Sequence, residues 1–232
     1  MEAGAVKIKN KFESPGDTRQ AKIIQQELSC KIILRSDYED ISKIKTVAGC
    51  DVSYSKGGKN IRVAVIVLDF VTLEVIEKVR IDYKKEFDFP YVPGYLSFRE
   101  GPPLIEAIEK LKTEPDVFIF DGQGIAHPRG IGIASHMGVI LDKPSIGCAK
   151  SPLYGDAEEP PPGLKGAYTF IKDAAGTLIG TCMRSKKYTK PIYISQGHRI
   201  GLNTSADIIF KCLTKYRIPE PTRLAHIEAN KK

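Results

Sequence analysis

Three apolar runs, residues 46–54, 61–70 and 73–83, follow one another with almost nothing between them. Strands joined by links this short can pair only antiparallel, because a parallel pair needs a crossover of a dozen residues or more. The GGKN stretch at 57–60 is a hairpin signal, and the second link is only about two residues long. The three runs therefore predict an antiparallel meander. After it the order of elements changes. A helical stretch spans about 94–112, strand VFIFD 117–121, a helix about 131–141 and strand PSIGCA 144–149. Strand, helix and strand at these lengths predict a parallel crossover.

Parallel strands that add beside the first strand of a meander leave that strand at the centre of the sheet. This is the ribonuclease-H-like arrangement. The fold class expected is α/β, a mixed sheet of a three-strand meander plus parallel strands flanked by helices, in one domain over residues 1–232. Around this frame, Ala21, Ile24, Leu28 and Ile32 recur at helical spacing behind Asp17, so a capped helix is expected over 17–34. Residues 1–16 read as a loosely ordered extension. Gly101-Pro102-Pro103 should break the 94–112 helix into two pieces. A Pro-rich loop covers 155–165. Short strands are expected near 166–172, 177–184 and 191–195, then a helix over 203–215 capped by Asn203, Thr204 or Ser205.

Three acids stand out against this frame. Asp51 lies within the apolar run VAGCDVS, Asp121 ends VFIFDGQG, and Glu100 follows the aromatic segment FPYVPGYLSFREG. A carboxylate in an apolar strand is costly unless something pairs with it. Strand one, at the centre, adjoins the strand carrying Asp121. Val47, Gly49, Asp51 and Ser53 share one face of it by the period of two. Ligands of open α/β sheets gather outside the carboxyl ends of strands, where Asp121 sits. Glu100, on the intervening helix, can reach the same point. Hard oxygen ligands select Mg²⁺ or Mn²⁺. Such a site can activate water and stabilise charge on a phosphodiester oxygen. Asp-Gly alone is also a turn signal. The order of elements favours the shared site.

The charge distribution points to a polyanionic partner. Residues 183–232 hold 11 Lys and Arg against 3 Asp and Glu, while the rest of the chain holds 24 against 25. A basic face of this kind is either merely solvated or phosphate-binding, and a neighbouring metal site favours the second. The five cysteines, at 30, 50, 148, 182 and 212, have no ligand spacing and an odd count. They read as free thiols in a reducing compartment. No apolar run reaches membrane length and no signal-peptide pattern opens the chain. The expectation is a soluble cytoplasmic monomer. Walker and dinucleotide-binding fingerprints are absent.

The segments VAGCDVSY, FPYVPGYLSFREGP, PDVFIFDGQGIAHPRGIGIASHMG, PSIGCAKSPLYG and RIPEPTRLAH together resemble the endonuclease V family of deoxyinosine-directed nucleases. The resemblance runs from about Val47 to Ile227. A lone DGQG would be weak, whereas five such segments in family order are specific. The resemblance implies a DNA-repair enzyme with Mg²⁺ as cofactor, Mn²⁺ being able to substitute. The implied partner is DNA containing deoxyinosine. Cleavage would fall at the second phosphodiester 3′ to the lesion, leaving 3′-hydroxyl and 5′-phosphate. Inosine-bearing RNA is the alternative substrate, and a non-catalytic nucleic-acid-binding module the remote one.

By the same resemblance Asp51 and Asp121 ligate metal directly and Glu100 acts through water. His226 falls close to the catalytic centre, and Lys150 contacts phosphate or water near the scissile bond. Pro90-Tyr91-Val92-Pro93 is a stiff aromatic tip with proline at both ends. It matches the family's wedge, which fills the gap left by a displaced base. Gly94, Leu96, Gly122, Gln123, Gly124 and Ala149 are the base-pocket candidates. A tight backbone pocket of this kind would reject guanine by its extra amino group and adenine by unpaired polar groups. His127 and His198 are candidates for loop support or phosphate contact. Gln196 departs from the SPGH pattern of relatives, so the local backbone there is expected to differ.

Overall fold

The three apolar runs form strands β1 (Thr46–Tyr54), β2 (Ile61–Asp69) and β3 (Val75–Tyr83) in the computed structural model. The structure describes residues 6–54, 61–84 and 89–231. β1 pairs antiparallel with β2 and β2 with β3, giving the expected meander. The GGKN link and residues 86–88 of the aromatic segment lie outside the described residues. β4 (Val117–Phe120) pairs parallel with β1, and β5 (Ser145–Ala149) parallel with β4. β6 (Tyr168–Lys172), β7 (Leu178–Met183) and β8 (Ile192–His198) extend the sheet antiparallel beyond β5. The order is β3-β2-β1-β4-β5-β8-β7-β6. β1 thus sits between β2 and β4, as ribonuclease-H-like topology requires.

Among the described residues, α2 (Leu96–Ile108), α3 (Ile133–Leu141), α4 (Leu202–Lys211) and α5 (Glu220–Asn230) cover the sheet, and α1 (Thr18–Ser29) packs outside them on α3. Strand alternation sorts the apolar side chains into two cores. Val47, Ile66, Ile119 and Ile146 pack with Ile208, Ile209 and Ala225 of α4 and α5. Ala48, Cys50, Val65 and Phe118 pack on the other face with Leu104, Ile108 and Met137 of α2 and α3. All five cysteines are free, with only Cys30 exposed. Among the described residues no helix is long and apolar enough to cross a membrane.

Several expectations are corrected. α2 runs unbroken through Pro102 and Pro103. An interior proline costs about 3 kcal/mol or more. Phe98, Leu104 and Ile108 on the same helix are buried, and each such side chain contributes roughly 1.5–3 kcal/mol. Burial outweighs the lost hydrogen bonds. Asp17 caps α1 by accepting from the Gln20 N–H at 2.8 Å, but the helix stops at Ser29 rather than at 34. Beyond it, Ile33 spends its backbone on β8, donating to His198 Nδ1 and accepting from the Arg199 N–H. α4 starts behind Gly201 with no side-chain cap, so Asn203, Thr204 and Ser205 lie inside its first turn. Residues 6–16 are docked rather than loose. Val6 is buried, Asn10 Nδ2 donates to the Val139 carbonyl at 2.7 Å, and Phe12 stacks on His136. Aromatic and hydrogen-bonded anchors there overcome the entropy of a chain end.

Candidate active site

The site is built from the centre of the sheet outward. Gly49 permits α5 to lie directly on β1. A Cβ at that position would stand 2.1 Å from the Pro221 carbonyl. Because Asp51 and Ser53 share the face of Gly49, the same helix meets both. His226 Nδ1 is 3.1 Å from Asp51 Oδ2, and Ser53 Oγ is 2.7 Å from Asn230 Oδ1. On the other side, β4 runs parallel to β1 with Phe120 opposite Cys50, and the Asp121 N–H donates to the Cys50 carbonyl. The two aspartates therefore emerge on adjacent strands at one level. One ligand atom each from Asp51, Asp121 and His226 fall within 4.8 Å of one another. Lys150, just past β5, forms an ion pair with Asp121.

Glu100 approaches from α2. It is buried, and Tyr54, on the face of β1 opposite to Asp51, donates its hydroxyl to Oε1 at 2.9 Å. The electrostatics mark the cluster as short of positive charge. Burial, then the charge of Asp121, pushes the Asp51 carboxyl up to about 7 against the pull of His226 and Lys150. Burial raises Glu100 to about 8 despite the Tyr54 hydrogen bond, with Asp51 and Asp121 adding to the rise. A divalent cation would relieve both. Two carboxylates and one imidazole at mutual ligand distance suit a hard or borderline ion, and Glu100, outside that group, lines the same cavity.

Asp51, Glu100 and Asp121 line one cavity of 380 Å³ together with Gly94, Leu96, Gly122, Gln123, Ala149, Lys150 and His127. Gly124 stands off that lining, its N–H donating to Ser195 Oγ at 2.8 Å. The 90–93 tip points away from the core. Tyr91 is 67% exposed, while Val92 packs against the Phe89 and Phe98 cluster. His127 has a supporting place. Its Nδ1 accepts from the Arg129 N–H, and its Nε2 donates to the Gly94 carbonyl at 2.9 Å. Burial, then the Arg129 charge, lowers it to about 4, so it is neutral. His198 is not brought to the site. It lies opposite Ser145 at the amino end of β5, bonded to Asp142 and Ile33.

Sequence reading alone passed over four residues. Tyr54 holds Glu100, and its place in VAGCDVSY three residues after Asp51 was the available signal. Gln25 and Arg129 both donate to the Gly94 carbonyl. Nothing local marks the buried Gln25 of α1, whereas Arg129 stands in the AHPRG motif. Arg217 donates to the Lys150 carbonyl at 2.6 Å, and it opens the RIPEPTRLAH motif.

The family model described as Endonuclease V matches residues 26–227. The chain belongs to the endonuclease V family. Endonuclease V of Dictyoglomus turgidum is 51% identical over 205 residues, covering 88% of this chain and 86% of that protein. The crystal structure of the Bacillus subtilis enzyme superposes with a TM-score of 0.86 at 38% identity, covering 95% of this chain and 93% of that one. Endonuclease V of Ciona intestinalis, solved with a 24mer DNA containing an inosine followed by a ribo-adenosine, gives a TM-score of 0.78 at 33% identity. That match covers 92% of this chain and 97% of the other. The whole endonuclease V fold is thus present, with β1, β4 and α5 framing the acidic centre.

Proposed function

We propose that this endonuclease V family member is a Mg²⁺-dependent endonuclease that recognises deoxyinosine in DNA and initiates repair. It hydrolyses the second phosphodiester bond 3′ to the lesion, leaving 3′-hydroxyl and 5′-phosphate. The observation that carries this reading is the meeting of Asp51, Asp121 and His226 within 4.8 Å beside a cavity lined by Gly94, Leu96 and Gln123. Asp51 and Asp121 hold the cation, and His226, 3.1 Å from Asp51 Oδ2, stands beside it. A bound Mg²⁺ supplies charge stabilisation at the phosphodiester and lowers the pKa of water. Glu100, held by Tyr54, orients water beside the two aspartates. The Lys150 ammonium offsets negative charge at Asp121 and faces the phosphate. Tyr91 takes the place of the displaced base in the stack, and the cavity accepts that base. The relative from Ciona intestinalis, bound to DNA containing an inosine followed by a ribo-adenosine, supports this substrate class.

The ribonucleotide in that strand also favours a second reading, cleavage of inosine-bearing RNA. One experiment tests both. The same inosine-containing sequence is offered as DNA and as RNA, each with Mg²⁺ and with EDTA. Cleavage of DNA that EDTA abolishes is expected. Cleavage of RNA alone would replace the first reading by the second, and cleavage of neither would remove both.

A further inference from the structure

The connection between β7 and β8, residues 184–191, has a telling place in the sheet. β8 runs antiparallel to β5, with Tyr193 opposite Ala149. Its amino-terminal end therefore lies beside the carboxyl end of β5. β1, β4 and β5 are mutually parallel, and Asp121 and Lys150 directly follow β4 and β5. The hairpin rises from the same edge of the sheet as the acidic centre. Arg217 makes the physical join. Its Nε donates to the Lys190 carbonyl at 2.8 Å, and its Nη2 donates to the carbonyls of Pro191 at 2.7 Å and Lys150 at 2.6 Å.

The other root is pinned as well. The buried Arg184 donates to the carbonyls of Pro160 and Thr189, and the Tyr188 N–H donates to the Pro162 carbonyl at 2.8 Å. With the backbone held, the side chains turn out. Lys186, Lys187 and Lys190 are exposed, and none has an acidic partner among the described residues. Tyr188, among them, is 80% exposed at φ 58°. A left-handed backbone is costly for such a residue, and an exposed ring gains little from packing. Strain and exposure at a pinned, basic tip point to a ligand outside the chain.

We propose that this hairpin is a second nucleic-acid contact, engaging the inosine-bearing substrate where it continues past the scissile bond. Lys186, Lys187 and Lys190 meet successive phosphates, and Tyr188 stacks on a base. Aromatic and basic side chains interleaved along a groove are the general means of holding a strand without reading its sequence. The proposal rests on the functional reading above and adds to it the path of the substrate.

The test compares wild type with Lys186→Ala/Lys187→Ala/Lys190→Ala and with Tyr188→Asn, since asparagine tolerates the left-handed backbone. Binding to undamaged duplex is measured against salt. Cleavage is measured on inosine duplexes trimmed stepwise from one end and then from the other. The triple variant should flatten the log–log salt slope by about two to three, at roughly 0.9 per lost phosphate contact. Tyr188→Asn should weaken binding to single-stranded inosine DNA about tenfold. Both defects should vanish on substrates trimmed on one side, and rates at saturating enzyme should match wild type. Thermal unfolding checks the fold. If the triple variant does not fold, Lys187→Gln alone should flatten the slope by about one. An unchanged slope, or defects that persist whichever end is trimmed, would overturn the proposal. Wild type that cleaves no inosine substrate would instead remove the functional reading, and the salt slope would still judge the hairpin.

Discussion

The acidic centre lines a cavity that Gly94, the root of the aromatic tip at 90–93, also borders, but centre and tip are held by different means. Asp51 and Asp121 are fixed by the pairing of β1 with β4, and His226 by a helix lying on a glycine of β1. The tip has no strand or helix of its own. Val92 packs on the Phe89 and Phe98 cluster, and the polar anchor is the Gly94 carbonyl, which accepts from Gln25, His127 and Arg129. Arg129 also stacks its guanidinium 4.2 Å over the Tyr95 ring. On the proposed function, the chemistry is built into the sheet and recognition hangs from a polar hub. Changes at the centre should remove catalysis outright, whereas changes at the tip should alter how much enzyme is needed.

The largest effect belongs to the centre. Asp51→Ala or Asp121→Ala should bring Mg²⁺-dependent cleavage down to background while leaving binding to inosine DNA in Ca²⁺ intact. Near-normal turnover by either variant would show that the two regions are not divided in this way. Next comes Tyr91→Ala. Loss of a stacking surface is worth roughly 1–3 kcal/mol, so apparent cleavage of duplex at low enzyme should fall about ten- to a hundredfold. Single-stranded substrate should suffer less, and saturating enzyme should restore much of the rate. An equal loss on both substrates, unrelieved at saturation, would make Tyr91 structural.

The two regions were also unequally legible from the sequence. The acids could be placed because strand order and a period of two are carried by apolar spacing, which survives in any sheet of this topology. His226 needed the family resemblance, because α5 begins at Glu220 between two prolines and shows no strong apolar stripe. Of the hub, His127 was legible as loop support, whereas Gln25 was not. Gln25 and Gly94 are 69 residues apart, and no local pattern encodes a side chain that meets a distant carbonyl. The unbroken α2 was missed for a related reason. Proline acts locally, while the burial that overrides it is tertiary.

A smaller effect probes the hub itself. Arg129→Lys keeps the charge but loses the fork that spans Gln25 and Gly94. A hydrogen bond is worth roughly 0.5–1.5 kcal/mol, so duplex cleavage at limiting enzyme should drop about two- to tenfold with the saturated rate unchanged. A fall in the saturated rate would tie the hub to the chemistry. The mildest expectation concerns pH and stability. Burial and neighbouring negative charge raise Asp51 and Glu100 to about 7 and about 8 from their ordinary values of 3.8 and 4.5. The folded state then binds more protons than the unfolded one. Their contribution is fully present below about pH 4 and is lost as pH rises through about 7 to 8. In EDTA, thermal unfolding of wild type should therefore lose stability over that window. Asp51→Asn should flatten the loss, and Mg²⁺ should restore stability at the alkaline end. A variant that keeps the full pH slope would place its origin outside the acidic centre.

The most direct test of the central claim is a map of the cut. Wild type and Asp121→Ala are given one duplex carrying inosine at a defined position and the same duplex with adenine there, under single-turnover conditions in Mg²⁺. The account predicts one break by wild type, at the second phosphodiester 3′ to inosine. It predicts none in the adenine duplex, none with EDTA and none by the variant. Cleavage that ignores the base, or that proceeds in EDTA or without Asp121, would contradict it.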